Sequence, residues 1–227
     1  MYRTPDRPRS RQTMSAATPA TAPSSGFLRA RVGSLLAVVP LGVWTAIHLW
    51  NNLSAFQGAD AWEQSVTTYS HPIAQLLTAI VVLLPLVLHT IWGFGRLLST
   101  RPNNIRYGFF ANFKYVLQRL SAIGVMLFLG AHLWLALLHP RLVEGHPEPF
   151  ADISHEMRTH TPTLVVYLLG TLGVCYHLAN GLSTFAMGWG VVTSQRAMAK
   201  LNYVSGGVFV LLLGMAWAVI FALYKSG

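Results

Sequence analysis

Four histidines stand one to each of four successive apolar stretches: His48, His89, His132 and His177. Their separations, 41, 43 and 45 residues, match one membrane crossing plus a turn each. An ionisable side chain inside hydrocarbon is costly and by default functional. Such a chain folds as helices across a bilayer, and the histidines mark what those helices enclose.

Composition agrees. Of 227 residues, 53% are hydrophobic and only 10% charged, whereas soluble domains carry about a quarter charged residues. Five stretches are long enough to cross about 30 Å of hydrocarbon as helices. They cover 31–56, 71–98, 114–139, 161–187 and 201–224. The fold class is therefore all-α integral membrane, with five transmembrane helices. The first four are expected to form the bundle around the histidines. Pro40 and Pro85 interrupt the first two spans, which membrane helices tolerate when neighbours cover the freed backbone groups. Residues 1–28 are polar, rich in Arg, Ser, Thr and Pro, and read as a disordered tail. The domain proper is then 29–227. A single cysteine, Cys175, excludes an intrachain disulfide, and no C-x-x-C-H motif offers covalent c-type haem attachment.

The net charge of +9 is distributed by side. Arg3, Arg7, Arg9, Arg11, Arg29 and Arg31 lie on the N-terminal side, Arg96, Arg101, Arg106, Lys114 and Arg119 flank the second loop, and Arg196 and Lys200 lie in the fourth. The alternate loops carry Asp60 and Glu63, then Glu144, Glu148, Asp152 and Glu156. The basic side is expected to be cytoplasmic, with the N-terminus inside and the C-terminus outside. The location is the cytoplasmic (cell inner) membrane.

Orientation converts position into depth. His48 lies some 15 residues into an outward-running helix, roughly 22 Å from its inner edge. His132 also comes late in an outward-running helix. His89 and His177 come late in inward-running ones. Two layers follow: His48 with His132 in the outer half, His89 with His177 in the inner half, on the order of 12–16 Å apart. Paired imidazoles, one per helix and without a covalent attachment motif, suit two b-type haems with bis-histidine iron. Gly170, Gly173 and Gly181 share a face with His177, and Gly93 follows His89 by four residues. They would admit a planar group, though helix packing alone also favours small residues. His71, His139, His146, His155 and His160 fall at span ends or in the acidic loop and read as solvated. Trp50, Trp62, Trp134 and Trp189 read as interfacial anchors.

The contexts AIHLWNN, LVLHTIWG, GAHLW and CYHLANGL resemble the cytochrome b558 subunit of succinate dehydrogenases (complex II). This family is a five-helix, single-chain, dihaem anchor related to the dihaem fumarate reductase anchors. RVGSLLAVVPLG, NFKYVLQRLSAIG and HLANGLSTFAMGWG share the likeness, which covers roughly 29–225. It implies haem pairs between the first and third and between the second and fourth helices, as depth does. It also implies partners: a flavoprotein with FAD, where succinate is oxidised, and an iron–sulfur protein on the cytoplasmic face. Electrons would pass from the iron–sulfur clusters through both haems to quinone, in this family often menaquinone, as a step of the tricarboxylic acid cycle. Asp60 and Glu63 are then candidate proton carriers beside the outer ends. Arg31, Ser34, Gln118 and Arg119 are candidate contacts for the inner haem's propionates. Ser34 and Gln118 each lie fourteen residues before a histidine on nearly the same helical face.

One position departs from the likeness. Dihaem fumarate reductases with a transmembrane proton path carry a glutamate two residues before the fourth histidine, where this chain has Cys175. Such a path is not expected here. Other quinone-linked anchors, of fumarate reductase, hydrogenase or formate dehydrogenase, are the alternative class. Cytochromes of the bc type place two histidines on each of two helices, unlike this chain. A haem-free proton-coupled transporter would need buried carboxylates and an internal repeat that the sequence lacks.

Overall fold

The computed structural model describes residues 25–68, 72–99 and 109–227. The described residues contain five helices long and apolar enough to cross a membrane: Gly26–Gln57, Ile73–Ser99, Asn112–Glu144, Thr161–Gly188 and Gln195–Ser226. They are called the first to fifth spans below. The protein is all-helical among the described residues, as an all-α membrane protein. Large apolar side chains face outward, as in Leu98 (72% exposed), Leu127 (67%) and Val210 (67%). That arrangement suits lipid as the solvent.

Three spans widen at proline. The first passes from Ser25–Leu36 into a π-helical stretch, Ala37–Gly42, that holds Pro40, and returns to α-helix at Val43–Asn52. In the second, Ala79–Leu83 is π-helical just before Pro85. The third has π-helical turns at Trp134–Leu138 and Pro140–Glu144. Proline lacks an N–H and its ring clashes with the carbonyl four residues back. A wider turn accommodates both. His89 follows Pro85 by four residues, and His132 precedes Trp134 by two, so these side chains leave the helices beside altered turns.

The third span runs past its expected end at 139 to Glu144 and stops at Gly145, whose φ of 82° is left-handed. The fifth starts at Gln195 rather than 201, because the Ser194 hydroxyl caps it, accepting the Ala197 N–H at 3.2 Å. Most of the expected disordered tail, with its arginines, lies outside the described residues, as do His71, Arg101 and Arg106. Its last four residues, 25–28, already belong to the first helix.

Two helical segments in the acidic loops have no counterpart in the sequence reading. Ala59–Trp62 continues into a π-helical turn, Glu63–Thr67. Phe150–Thr159 is an amphipathic loop helix that buries Phe150, Ile153, Ser154 and Met157. The two meet where Trp62 stands edge-on to Phe150, centroids 5.6 Å apart. Glu63 Oε1 accepts the Phe150 N–H at 2.9 Å, satisfying an orphan donor at a helix start. Trp62 is therefore a core residue, 4% exposed, and not an interfacial anchor. The cluster continues into Phe128, Tyr167, Val219 and Leu223 of the third, fourth and fifth spans.

Candidate functional site

The four histidines meet in two pairs. His48 of the first span faces His132 of the third, with ring centroids 6.0 Å apart and planes at 69°. His89 of the second faces His177 of the fourth, at 6.3 Å and 69°. Two imidazoles sharing one metal ion, each nitrogen about 2 Å from it, put their centroids roughly 6 Å apart. Both pairs fit iron by that measure. Neighbours of the two pairs give their spacing. Gln118, beside His177, is 14 residues from His132 on the third span, and Tyr167, beside His132, is ten from His177 on the fourth. Helix rise turns these intervals into about 15–21 Å, at the upper end of the expected spacing and beyond.

Each ring has a polar neighbour on the protein. His89 Nδ1 lies 3.2 Å from the carbonyl of Gly33, on another span. A carbonyl only accepts, so Nδ1 carries the proton and Nε2 keeps its lone pair. His177 Nδ1 lies 3.3 Å from Ser121 Oγ and 3.2 Å from Gln118 Nε2. His132 Nδ1 lies 3.1 Å from the Tyr167 hydroxyl. His48 differs. Asn52 Nδ2 donates to the His48 carbonyl at 2.8 Å and lies 3.4 Å from Nε2, while Asn52 Oδ1 accepts from the Trp62 indole at 3.1 Å. A partner that accepts the ring N–H, as the Gly33 carbonyl does, orients a metal-binding imidazole and raises its basicity.

Rings pack the histidines on the sides. Trp44 stacks on His48 at 5.9 Å, Trp92 tilts against His89 at 5.9 Å, and Phe128 stacks on His132 at 5.6 Å. Glycines admit two of these rings. A β-carbon on Gly33 would sit 2.6 Å from Trp92, and one on Gly170 would fall within the ring of Phe128. Gly170 thus makes room for Phe128, not directly for a planar group. Gly173 and Gly181 sit against Val125 and Gln118, each at 3.8 Å from a would-be β-carbon, and Gly93 has nothing within 4 Å. Between the second and third spans runs an apolar groove of about 230 Å³, lined by Thr90, Ile91, Leu129, Gly130 and Leu133 among others.

The four candidate propionate residues separate into two situations. Arg31 lies over the rings of Phe27 (4.5 Å) and Trp189 (5.9 Å), and Ser34 Oγ accepts from the Trp189 indole at 3.1 Å. Gln118 is engaged with His177, donating to its carbonyl at 3.1 Å and accepting from Asn180 at 2.8 Å. Arg119 donates to the Leu97 carbonyl in the last turn of the second span and to the Tyr115 hydroxyl, where a cation complements a helix C-terminus. Of the candidate proton carriers, Asp60 is exposed and Glu63 is taken up by the loop helix. Cys175 is 0% exposed and packs with Leu212 and Ala216 of the fifth span and Ala46 and Leu49 of the first.

A curated relative matches most of the chain. The succinate dehydrogenase cytochrome b558 subunit of Bacillus subtilis (strain 168) is 29% identical over 197 residues, 86% of this chain and 96% of the relative. This chain is similar to the cytochrome b558 subunits of succinate dehydrogenase. The resemblance read from the sequence is borne out by this relative. No family model matches the chain. Outside the two pairs, the loop histidines contact carboxylates: His139 and His146 with Glu144 at 3.1 and 3.6 Å, His160 with Glu156 at 3.5 Å. Among the described residues, no three or more His, Cys, Asp or Glu side chains group to hold a metal ion.

Sequence reasoning did not find Gly33, Asn52 or Tyr167 as partners of the histidines. Gly33 acts through a backbone carbonyl, which leaves no side-chain signal. Tyr167 lies ten residues from His177 on its own span but serves His132 on another. Ser121 was within reach, since it lies between Gln118 and His132 near the expected depth.

Proposed function

We propose that this chain is the cytochrome b membrane subunit of a succinate:quinone oxidoreductase, holding two b haems between an iron–sulfur partner and quinone. The observation that carries this is the pair of histidine pairs at an iron-sharing separation, each ring with a polar neighbour on the protein. His48 and His132 would ligate one iron, His89 and His177 the other. Bound haem supplies reversible one-electron transfer. The chain's own residues set its surroundings. The Gly33 carbonyl holds the His89 proton on Nδ1. Ser121 Oγ donates to the Gln118 carbonyl at 3.0 Å, which leaves its oxygen to accept from His177 Nδ1–H, and the Gln118 amide is directed to the His177 carbonyl. The apolar spans exclude water from both pairs.

Arg31, Ser34, Gln118 and Arg119 remain the proposed propionate contacts of the His89/His177 haem. Each also holds its surroundings: Ser34 donates to the Arg31 carbonyl at 2.9 Å, Gln118 fixes His177 and Arg119 the end of the second span. The basic end of the bundle, with Arg31, Lys114 and Arg119, is proposed to face the cytoplasm and the iron–sulfur subunit. A flavoprotein with FAD completes the enzyme. The electron acceptor is proposed to be menaquinone, on the strength of the family likeness. Succinate chemistry resides in the flavoprotein.

A reduced-minus-oxidised spectrum of the purified chain, with haem counted per chain, tests the reading. Two b-type haems are expected. In His89→Ala one haem should be lost and the other kept. Both haems retained in that variant would overturn the pairing, and no b-type band in the unaltered chain would overturn the function.

A further inference from the structure

Tyr167 is 9% exposed, in the fourth span, and its hydroxyl lies 3.1 Å from Nδ1 of His132 in the third. Its ring stands at 77° to the imidazole, 5.7 Å between centroids. Phe128 closes the box: it stacks on His132 at 17° and meets Tyr167 edge-on at 88°, 5.5 Å away. The position of Phe128 depends on Gly170, three residues after Tyr167 on the same helix, since a β-carbon there would fall within the phenyl ring. Two fourth-span residues, three apart and therefore on one face, thus settle both the rotation and the hydrogen bond of a third-span histidine.

We propose that Tyr167 is a positioning residue for His132 as an iron ligand, its hydroxyl oxygen accepting the Nδ1 proton while Phe128 holds the ring plane. The inference rests on the dihaem reading above. A phenol can donate or accept. If Tyr167 donated, the neutral imidazole would carry its proton on Nε2, and that nitrogen could not bind metal. If it accepts, Nε2 keeps its lone pair and the imidazole is a stronger ligand. Accepting is the arrangement that leaves His132 competent to pair with His48 across one iron. The counterpart in the other pair is Gly33, whose carbonyl accepts from His89. A carbonyl cannot be removed by substitution, whereas the hydroxyl of Tyr167 can.

The test is a redox titration of the purified complex, followed by the haem spectra, with Tyr167→Phe against the unaltered protein. The change removes one oxygen and keeps the ring against Phe128. One of the two haem reduction steps should move to more positive potential, by about tenfold in its reduction equilibrium, which is ~59 mV for one electron. The other step should stay in place, and two haems per chain should be retained. Loss of one haem, with the second unaffected, supports the proposal equally. Two haems with both steps and both low-spin spectra unchanged would overturn it. Should Tyr167→Phe fail to assemble, Phe128→Leu removes the stacked ring and leaves the hydroxyl. The spectrum of one haem alone must then change, and an unchanged pair of spectra would overturn the proposal. An unaltered complex without two b haems would sink the dihaem reading itself, before any variant is compared.

Discussion

Gly33 lies so close beneath the indole of Trp92 that a β-carbon would stand 2.6 Å from the ring. The same residue offers its carbonyl to His89, three positions before Trp92. One small residue of the first span therefore seats both the ring beside the histidine and the histidine itself. Gly33→Ala is expected to push Trp92 off its seat and cost about 1–3 kcal/mol of stability, the usual range for overpacking. Haem content should fall with it, at the His89/His177 pair only. Adding Trp92→Leu opens the space and should restore both quantities in large part. Thermal unfolding and haem per chain, measured on the two variants, check this. A Gly33→Ala protein as stable and as haem-loaded as the parent would refute the packing argument.

The fourth and fifth spans are joined by a buried hydroxyl pair. Ser183 Oγ and Ser205 Oγ are 2.6 Å apart, and Ser205 donates on to the Ala179 carbonyl at 2.9 Å. Hydrogen bonds between membrane helices average about 0.6 kcal/mol and reach about 1.7. Ser183→Ala should therefore cost less than ~2 kcal/mol, and Ser205→Ala more than Ser183→Ala because two bonds depend on it. In a double-mutant cycle the two effects should fall short of additivity. Unfolding in mixed detergent measures all three variants, and strict additivity would show that the pair does not couple.

Glu148, half-buried before the loop helix, has its carboxyl pushed up to about 7. Burial is the main cause, followed by Asp152 and Glu144, with Glu156 adding and His146 opposing. A carboxyl whose folded value lies above its unfolded value near 4.3 binds its proton more tightly when folded. Stability from this group is then full below about pH 4.5 and is lost as pH rises through about 7. The melting temperature should accordingly fall between pH 5 and 8, and Glu148→Gln should flatten that dependence. Parallel curves for the two proteins would exclude Glu148 as the source.

Legibility differed from element to element for physical reasons. The spans were readable because hydropathy and length are local properties, and each span's ends missed by only a few residues. The largest misses were at Gly26, Glu144 and Gln195; at the last two a glycine stop and a serine cap set the limits. Phe150–Thr159 was not readable as a packed element. Its apolar face covers only three or four residues and makes sense only against Trp62 and the fifth span. Trp62 itself looked like an anchor because its burial depends on that same contact.

The sequence by itself determined that the chain crosses the membrane as five helices, that each of the first four carries a histidine away from its ends, and which of these lie at the same depth. A helix advances about 1.5 Å per residue, so charge at the loops and position along the span are enough for that. Only the tertiary structure decided what each imidazole touches. Gly33 reaches His89, Ser121 reaches His177 and Tyr167 reaches His132 across gaps between spans. Those contacts depend on how each helix is rotated and how closely it approaches its neighbour, which hydropathy does not fix.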